Sequence, residues 1–580
     1  MGNYDNLYDV REIKDLREML RGSVKNYAAK NAFLSKPVKG EPYVPTTYQE
    51  FGNDVDAFGT KLYELGVQNQ ERVAILSETR YEWYVSYLAI VNGAGVVVPL
   101  DKALTANEIR RMLERAQVSV LIYSPKLRET ALEASRGLDF LKTLVMFDTY
   151  ADEENNFAMR SVSGNDAMEY SFTRLKEEGN YLLEDKYNDY LDCEIDPDEM
   201  RIMLFTSGTT DQPKAVMHSH GTIAANLMGM TEMLYINDDT VLSILPIHHT
   251  YECTCGFLCQ IYRGNSIAEA EGLRYIVDNL KESQTTLLLA VPLIMESFHK
   301  KIWSNIDKKG MRKKVEFGIK LTRFLRKIGI DLRKSIFKDI HEALGGHLRL
   351  FIAGGAAIDP QVLQDFNDFG ILAVQGYGLT ECGPILALNR DVAYKNESAG
   401  LPLPETQVKV KDPDEEGIGE FIATGDNIML GYYGDEELTA KALQDGWFHT
   451  GDLGYIDEDG FIIITGRKKN VIVTKNGKNI FPEELEFLLN KYPEIEESVV
   501  SSREHRNDDL LVIATIFPNM EEIEKTLGED ASLEMIENRM KEIVKEVNQN
   551  VSTYKHIKEV HVRDTEFEKN TSRKIVRKYN

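Results

Sequence analysis

The spacing of hydrophobic residues along the first two hundred positions alternates between two patterns. Apolar side chains at Phe51, Val55, Phe58 and Leu62 recur three or four residues apart, which predicts an amphipathic helix over residues 48–66. Short apolar runs and further helical spacings then follow one another, predicting a strand at 72–76, a helix at 81–93, a strand at 95–100, a helix at 106–116 and a strand at 118–123. Strands separated by helices are typical of parallel β-α-β units.

The same alternation returns beyond residue 200, where the pattern predicts strands at 202–205, 241–245, 286–291 and 348–353. Past residue 400, short strands alternate with glycine turns, which predicts a small β-rich unit. From Arg467 onward the pattern is typical of a separate α+β domain. We therefore expect an α/β protein in two parts. A large N-terminal domain (residues 1–466) holds stacked α/β subdomains and the β-rich unit, and a small mobile α+β domain (467–580) follows.

Length and net charge narrow the function. A chain of 580 residues exceeds what one hydrophobic core supports, so two or more domains are expected. The formal net charge is −25 at pH 7, whereas a nucleic-acid partner requires a basic face. We therefore expect no nucleic-acid partner.

Cysteine content and the lack of long apolar runs bear on the compartment. Five cysteines in a chain of this length form no disulfide framework, which favours a reducing compartment. The first residues are polar and acidic, so no signal peptide is expected. The sequence has no run of about 18 apolar residues, the length that spans a bilayer. We expect a cytoplasmic location.

Residues 300–338 depart from the acidic average. They contain 14 Lys or Arg against 3 acids, a net charge of +11. Six apolar residues recur there at helical spacing: Leu321, Phe324, Leu325, Ile328, Leu332 and Ile336. Two interpretations stay open. A basic amphipathic helix can lie on an anionic membrane surface or bind a polyanion, or its apolar stripe can pack on its own domain.

The candidate chemistry begins with residues 205–214, Phe-Thr-Ser-Gly-Thr-Thr-Asp-Gln-Pro-Lys, which continue the predicted strand 202–205. The hydroxyls, the backbone N–H groups and Lys214 offer donors and a positive charge to phosphate oxygens. The spacing differs from that of a Walker A loop. For this segment taken alone, a polar turn after a strand is the alternative.

Four further segments carry chemically suited groups. Residues 376–381 combine an aromatic face, a hydroxyl and a carboxylate, which adenine stacking, phosphate contact and Mg²⁺ ligation would need. Asp452 lies beside a glycine turn and is suited to holding two ribose hydroxyls. Residues 466–470 place cations at the proposed domain boundary, and Lys574 lies in a hydrophilic loop near the end. Taken singly, each is a weak signal, since turns and solvated lysines are common.

Together, in this order and spacing, these segments resemble the acyl-adenylate-forming superfamily, which includes acyl-CoA synthetases, peptide-synthetase adenylation domains and luciferases. The resemblance extends from Thr47 to Arg577, and residues 466–486 are most similar to long-chain fatty-acyl-CoA synthetases. It implies that a carboxylic acid, favoured as a medium- or long-chain fatty acid, is activated by ATP with Mg²⁺ to acyl-AMP. Coenzyme A then receives the acyl group, with release of AMP after pyrophosphate.

The resemblance assigns roles around the nucleotide. The family's phosphate loop matches Thr206, Ser207, Gly208, Thr209, Thr210 and Lys214. Its adenine pocket matches Gly354, Gly355, Ala356 and Tyr377. Thr380 matches a phosphate contact and Glu381 matches the magnesium ligand.

Further matches lie toward the C-terminus. Asp452 and Arg467 match the family's ribose clamp, and Lys469 falls at the hinge between the domains. Lys574 matches the lysine that bridges the carboxylate and the α-phosphate during adenylation. The expected catalytic residues are therefore Lys574, Thr380, Glu381 and, as an acyl-pocket or gate residue, His249.

Two segments depart from the family pattern. Asp211 stands where the phosphate loop usually has glycine, and a carboxylate that pointed at the phosphates would be unfavourable. Ala215 is a smaller change in the same segment. Arg573 replaces the common glycine before the C-terminal lysine, which reduces the backbone freedom of that loop.

Residues 246–252, Pro-Ile-His-His-Thr-Tyr-Glu, match the region that lines the acyl pocket. Amino-acid-activating relatives carry an aspartate near the position of His249, and none is present here, although Glu252 is close. A substrate without an amino group is therefore favoured. A metal site is an alternative for the nearby histidines and cysteines, but their spacing contains no C-x₂-C pair, and small core residues on a helix are the simpler interpretation of Cys253, Cys255 and Cys259.

Two alternatives to a fatty acid–CoA ligase stay open. A fatty-acyl-AMP ligase would load an acyl carrier protein instead of coenzyme A. A catalytically weakened nucleotide-binding homologue would follow if Asp211 disabled the phosphate loop. A dinucleotide-dependent oxidoreductase is excluded, because no G-x-G-x-x-G opens a helix after a strand.

Overall fold

The computed structural model describes residues 6–68, 70–147, 159–161, 167–206, 213–474, 478–505, 509–569, 575 and 577. The chain forms two units. The first unit contains residues 1–408, 423–448 and 458–462, and the second contains residues 409–422, 449–457 and 463–580.

The first two hundred residues form alternating helices and strands, and the predicted elements there are confirmed within a few residues at their ends. The helix predicted to end at residue 93 ends earlier, because a π-helical turn, Ile90–Ala94, follows it. The elements are α1 (Leu16–Tyr27), β1 (Asn31–Ser35), β2 (Val44–Thr47), α2 (Tyr48–Glu64), β3 (Arg72–Leu76), α3 (Tyr81–Ala89), β4 (Val96–Leu100), α4 (Ala106–Ala116), β5 (Val120–Tyr123), α5 (Arg128–Ser135), β6 (Thr143–Met146), β7 (Met159–Ser161), β8 (Met168–Ser171), α6 (Phe172–Glu184), α7 (Asp189–Asp192) and β9 (Met200–Thr206).

The next part of the first unit continues the alternation and adds a cluster of helices between residues 292 and 343. The elements are β10 (Lys214–Ser219), α8 (His220–Met233), β11 (Thr240–Ser243), α9 (Cys259–Arg263), β12 (Ser266–Glu269), α10 (Ile276–Glu282), β13 (Leu287–Ala290), α11 (Pro292–Lys308), α12 (Arg312–Lys327), α13 (Arg333–Ile336), α14 (Lys338–Ala343), β14 (Leu350–Ala353), α15 (Pro360–Phe369), β15 (Leu372–Gly378), β16 (Ile385–Leu388) and β17 (Leu401–Pro402).

The remaining elements begin with the predicted short strands and glycine turns and end in an α+β segment. They are β18 (Gln407–Lys411), β19 (Gly419–Thr424), β20 (Gly431–Tyr432), α16 (Glu436–Ala442), β21 (Leu443–Gln444), β22 (Trp447–Ile456), β23 (Ile462–Arg467), β24 (Ile472–Val473), β25 (Asn479–Ile480), α17 (Pro482–Leu489), β26 (Ile495–His505), β27 (Asp509–Pro518), α18 (Met520–Leu527), α19 (Leu533–Asn548) and β28 (Glu559–Val562).

Local sequence signals explain where helices begin. Thr47 caps α2: its side chain accepts from the backbone N–H of Glu50, and the Glu50 carboxylate accepts from the backbone N–H of Thr47. Thr105 and Glu108 make the same reciprocal pair at the start of α4. Such capping boxes satisfy helix-end donors that would otherwise lack partners.

Two sheets dominate the first unit, each with nine strands among the described residues. The first runs β20-β10-β9-β4-β3-β5-β6-β8-β7 and the second β17-β16-β15-β14-β13-β11-β12-β1-β2. Their central strands pair in parallel, as β3 does with β4 and β5, and β14 does with β13 and β15. The predicted parallel β-α-β units are confirmed, and the antiparallel pairs lie toward the sheet edges, as β20 with β10 and β7 with β8 do in the first sheet.

Each sheet has its own hydrophobic core. Strands of the first sheet pack on α4 through Ile109, Leu113 and neighbours with no exposed surface. The second sheet packs on helices that include α15, through Leu363 and Phe366. The C-terminal segment has a third core built on α17, α19 and the strands β26 and β27. Among the described residues, no helix is both long and apolar enough to cross a membrane.

Candidate functional site

The strand predicted before the phosphate loop ends at Thr206, and the chain returns as β10 at Lys214. Thr206 and Lys214 face each other in the antiparallel register of β9 and β10, so these two residues bracket the loop. Ser207, Gly208, Thr209, Thr210 and the departure Asp211 lie outside the described residues.

Lys214 lies beside the ring of Tyr432, a residue distant in sequence that in turn contacts Glu381. Its Nζ is 4.9 Å from the centroid of the Tyr432 ring. The Tyr432 hydroxyl donates a hydrogen bond of 2.9 Å to Oε1 of Glu381. This arrangement follows from the sheet, because β20 pairs antiparallel with β10 and sets Tyr432 opposite Val216. A cation, an aromatic ring and a carboxylate therefore line one edge of the sheet.

The Tyr432 side chain is a stable hydrogen-bond donor. Only 4% of its surface is exposed, and burial together with the Glu381 charge raises the pKa of its hydroxyl. The phenol therefore keeps its proton at neutral pH and orients the Glu381 carboxylate.

The turn that carries Thr380 and Glu381 is held by His218 from β10. This turn is a 3₁₀ helix, Thr380–Cys382. His218 Nε2 donates to the backbone carbonyl of Thr380 at 2.7 Å, and Nδ1 lies 3.1 Å from Oγ1 of Thr222. Burial lowers the pKa of His218 to about 4, despite the opposing effect of the Thr380 bond, so the ring is neutral at physiological pH.

Backbone and amide bonds hold the rest of this turn. The Met429 backbone N–H donates to the Glu381 carbonyl at 2.9 Å. The Asn226 amide donates to the carbonyls of Cys382 (3.0 Å) and Ile385 (2.7 Å). Glu381 is therefore held at two points, its carboxylate by Tyr432 and its backbone carbonyl by Met429.

The predicted adenine-pocket residues lie at the carboxyl ends of two adjacent parallel strands. Gly354, Gly355 and Ala356 follow β14, and Tyr377 lies near the end of β15, in a register that pairs Ala353 with Gln375. The structure therefore brings both groups to the same sheet edge. In open α/β sheets this edge is where ligands bind.

Gly354 and Gly355 are required by their surroundings. A Cβ on Gly354 would lie 2.7 Å from the ring of Tyr251, whose hydroxyl donates to the Ile352 carbonyl at 3.0 Å. Gly355 has φ +86°, a conformation that side chains other than glycine rarely adopt. The backbone here is closely packed against an aromatic ring.

His249 and His248 lie in the loop after β11. His249 Nδ1 accepts from the backbone N–H of Tyr251 at 3.3 Å, which leaves the proton of a neutral ring on Nε2. His248 Nε2 lies 3.5 Å from Asp101 Oδ2. Burial lowers the pKa of His248, and the attraction of Asp101 only partly opposes this.

Glu252 does not present a carboxylate to a substrate. It is 1% exposed, and its Oε1 accepts a hydrogen bond of 2.5 Å from Ser243. Burial raises the pKa of Glu252 to about 8, so the side chain is a neutral acid at pH 7. An amino group on a substrate would find no negative charge at this residue.

The cysteines near this loop are core residues. Cys253, Cys255 and Cys259 are buried in a π-helical turn, Tyr251–Leu258, and in α9. Burial raises the pKa of the Cys253 and Cys259 thiols to about 12. These thiols therefore stay protonated at neutral pH, which suits the predicted role as small apolar side chains.

The predicted ribose-clamp residues meet within the second unit. Arg467 Nε lies 2.9 Å from Oδ1 of Asp452, whose side chain is 4% exposed. Asp452 follows Thr450, whose hydroxyl donates to the Phe421 carbonyl at 2.8 Å. Lys469 lies in a 3₁₀ helix, Lys468–Asn470. Lys574 lies outside the described residues.

Glu420 organises the residues beside this pair. Its carboxylate lies 2.8 Å from Lys468 Nζ and 3.1 Å from His449 Nδ1, and it accepts from the Gly451 backbone N–H at 3.2 Å. Although burial opposes ionisation, the bonds from Lys468 and His449 lower the pKa of Glu420. Glu420 is thus a charged centre that holds the segment containing Asp452.

Sequence reasoning missed His218, Tyr432 and Glu420. The available signal for Tyr432 was an aromatic pair enclosed by Gly431 and Gly434, which the pattern read only as turns. His218 and Glu420 sit in alternating strand sequences without a distinctive spacing. Their roles depend on which strands become neighbours.

Glu381 fits the chemistry of a magnesium ligand. Among the described residues no group of three or more His, Cys, Asp or Glu side chains could by itself hold a metal ion. A single carboxylate is nevertheless what Mg²⁺ requires when nucleotide phosphates and water supply the other oxygens. Glu381, whose carboxylate is oriented by Tyr432, is the residue that would hold the ion.

Comparison with known proteins places these observations in a family. Residues 20–433 match the model of the family described as AMP-binding enzyme. The chain is similar to Long-chain-fatty-acid--CoA ligase 6 of Mus musculus, at 28% identity over 469 residues that cover 77% of this chain and 66% of the mouse protein. It is also similar to Long chain acyl-CoA synthetase 2 of Arabidopsis thaliana, at 27% identity over 521 residues, covering 83% and 75% of the two chains.

A solved structure supports the fold. The anthranilate CoA ligase AuaEII in complex with anthranoyl-AMP superposes with a TM-score of 0.72 at 18% identity, covering 99% of this chain and 97% of that one. At this identity the similarity concerns the fold, a mixed α/β architecture with a C-terminal domain.

Proposed function

The chain belongs to the AMP-binding enzyme family, and we propose that it is an ATP-dependent acid–thiol ligase that converts a fatty acid to its acyl-CoA. The observation that carries this proposal is the position of Tyr432, whose ring contacts Lys214 and whose hydroxyl donates to Glu381, while His218 holds the turn that carries Thr380. The names of the mouse and Arabidopsis relatives support the same substrates and acceptor. The mouse alignment spans 66% of that protein.

The first half-reaction forms the mixed anhydride. A carboxylate oxygen of the acid attacks the α-phosphorus of ATP, the bond to the β-phosphate oxygen breaks, and pyrophosphate leaves. Lys214 and the Thr206 end of the loop would face the phosphates, and Thr380 would donate to them. Glu381 would hold Mg²⁺, which supplies neutralisation of phosphate charge when bound.

The second half-reaction uses the activated acyl group. The thiolate of coenzyme A attacks the carbonyl carbon, and AMP leaves with the electron pair of the acyl–oxygen bond. We assign the ribose hydroxyls to Asp452, oriented by Arg467, and the bridge between the carboxylate and the α-phosphate to Lys574. We further propose that residues 467–580 form a mobile domain with Lys469 at its hinge, which removes Lys574 after adenylation.

The burial of Glu252 supports a substrate whose acyl group carries no amino group. This residue is the carboxyl group nearest in sequence to His249 that could pair a substrate ammonium, yet it is buried and neutral. Tyr251 and His249 would then contact an uncharged acyl chain, with His249 as an acyl-pocket or gate residue.

Carboxylate-dependent ATP–pyrophosphate exchange tests the proposal. The panel contains short, medium and long fatty acids, aryl acids and amino acids, each with and without coenzyme A. We expect exchange with fatty acids and conversion to acyl-CoA when coenzyme A is added. Exchange without an acyl-CoA product, but with loading of an acyl carrier protein, would identify the acceptor as that carrier. If none of the acids supports exchange, the ligase function is refuted and a catalytically weakened nucleotide-binding protein is favoured.

A matched pair of variants links the activity to the site. Glu381→Gln removes the proposed ligand charge and should reduce exchange to a small residual rate. Glu397→Gln makes the same change at an exposed residue of the same unit and should leave exchange unchanged. Equal activity of the two variants would contradict the role of Glu381.

A further inference from the structure

Helix α12 carries an apolar face that the rest of its unit leaves uncovered. Phe317, Leu321, Phe324 and Ile328 are spaced by four, three and four residues and are 67%, 38%, 63% and 59% exposed. This spacing places the first three on one line along the helix, and Ile328 follows directly after the helix ends at Lys327. Leu332 and Ile336 extend the apolar surface beyond the helix and are also exposed. The predicted stripe therefore exists, but most of it faces outward instead of packing on its own domain.

The opposite face of α12 is firmly attached. Ile319 belongs to the core that contains Phe337 and Phe369. The guanidinium of Arg323 pairs with the buried carboxylate of Asp368 on α15. The apolar residues are therefore exposed because α12 packs on its unit through its other face.

Lysines border the exposed line on both sides. At about 100° per residue, Lys313, Lys314, Lys320 and Lys327 all lie within about 80° of Phe317 around the helix. None of these four has an ion pair with any residue that the structure describes, although ion pairs do form elsewhere in the segment, as between Asp307 and Arg312. Glu316 is the one acid within the helix sequence.

We propose that this surface, defined as Phe317, Leu321, Phe324 and Ile328 with the bordering lysines, docks the protein on an anionic lipid bilayer. Apolar side chains flanked by cations are what the boundary between acyl chains and anionic headgroups accommodates. The local charge of residues 300–338 is +11 in a chain of net charge −25, so this segment attracts anionic lipid although the chain as a whole is acidic. Salt screening over about 8 Å keeps the distant acidic surface from opposing it.

Charge selects a bilayer over other occupants. A second copy of the chain in a two-fold dimer would set the same positive face against itself, which repels. A hydrophilic polyanion would pair with the lysines but would leave the two phenylalanines in water. A bilayer satisfies both sets of side chains at once.

Flotation with lipid vesicles tests the surface without substrates, so its result is independent of the ligase function. The full chain is mixed with vesicles of phosphatidylcholine alone, or of phosphatidylcholine with about 30 mol% phosphatidylglycerol to mimic an anionic leaflet. We expect binding to the anionic vesicles that weakens as salt is raised. Phe317→Ser with Phe324→Ser should reduce the partition coefficient at least tenfold. Lys313→Gln with Lys320→Gln should reduce it by about fivefold per lysine.

Matched controls make the same changes at exposed residues elsewhere. Leu533→Ser with Met535→Ser removes apolar side chains that are 75% and 44% exposed on α19. Lys441→Gln with Lys525→Gln removes two exposed lysines. Both control variants should bind as the unaltered chain does, and all variants should keep its circular dichroism spectrum.

Three outcomes would overturn the proposal. The unaltered chain fails to float with anionic vesicles, or the control variants lose as much binding as the surface variants. In the third, sedimentation without lipid shows that the unaltered chain is a dimer and that the double variant Phe317→Ser with Phe324→Ser is a monomer. A second copy of the chain would then be the partner that covers this surface.

Discussion

Tyr432→Phe is the sharpest test of the geometry around Glu381. The substitution removes one hydroxyl, keeps the ring under Lys214 and leaves the backbone pairing of β20 unchanged. In the structure that hydroxyl donates a hydrogen bond of 2.9 Å to Oε1 of Glu381, and Tyr432 is only 4% exposed. We expect the carboxylate to lose its fixed orientation.

The magnitude follows from the type of bond. A hydrogen bond to a charged group contributes about 1.5–3 kcal/mol, and about 1.4 kcal/mol corresponds to a factor of ten. The kcat/KM for ATP in pyrophosphate exchange should therefore fall by roughly 10- to 100-fold. Thermal stability should change little, because the ring that fills the space remains.

Two comparisons decide whether the effect passes through Glu381. Tyr433→Phe makes the same chemical change at the next residue, whose hydroxyl has no hydrogen bond to any described residue, and should retain full activity. In a Glu381→Gln background with measurable residual activity, Tyr432→Phe should add little, because coupled residues are not additive. Activity of Tyr432→Phe within threefold of the unaltered enzyme, or equal damage in Tyr433→Phe, would refute the reasoning.

Three further predictions concern protons and charges. Burial lowers the pKa of His218 to about 4, against 6.5 in the unfolded chain. As the pH falls below 6.5, the unfolded chain therefore binds a proton that the folded chain does not. The free energy of unfolding should decrease by about 2 kcal/mol between pH 7 and pH 5 for this reason. Urea unfolding of His218→Gln should show a correspondingly smaller loss over that interval, and an identical loss would contradict the assignment. Lys574→Ala should abolish pyrophosphate exchange while sparing transfer from preformed acyl-AMP to coenzyme A, and equal loss of both would remove its role. Asp211→Gly should keep or raise activity through tighter ATP binding, and a large loss would show that this carboxylate has a positive function.

Periodicity predicted the elements because it depends on local geometry. Four apolar residues of α2 recur at helical spacing, and the structure buries all of them completely: Phe51, Val55, Phe58 and Leu62. The parallel pairing of β3 with β4 and β5 followed from helices between the strands. The family resemblance likewise rested on short contiguous motifs, which need no knowledge of long-range contacts.

The residues that hold the site lay beyond that reasoning. Tyr432 and Glu381 are 51 positions apart, and His218 and Thr380 are 162 apart. Nothing in the local pattern states that β20 pairs with β10, because strand order depends on packing of the whole sheet. The partners of Glu381 therefore emerge only when the sheet is assembled.

The sequence by itself determined the α/β class, the parallel strand units, the matched motifs and the presence of an apolar stripe bordered by lysines in residues 300–338. Only the tertiary structure decided that Phe317, Phe324 and Ile328 of that helix face outward, and that Glu252 is buried beside Ser243 and therefore neutral. The physical reason is the same in each case. Spacing along a chain sets which side chains share a face, whereas burial and charge depend on what the fold packs against that face.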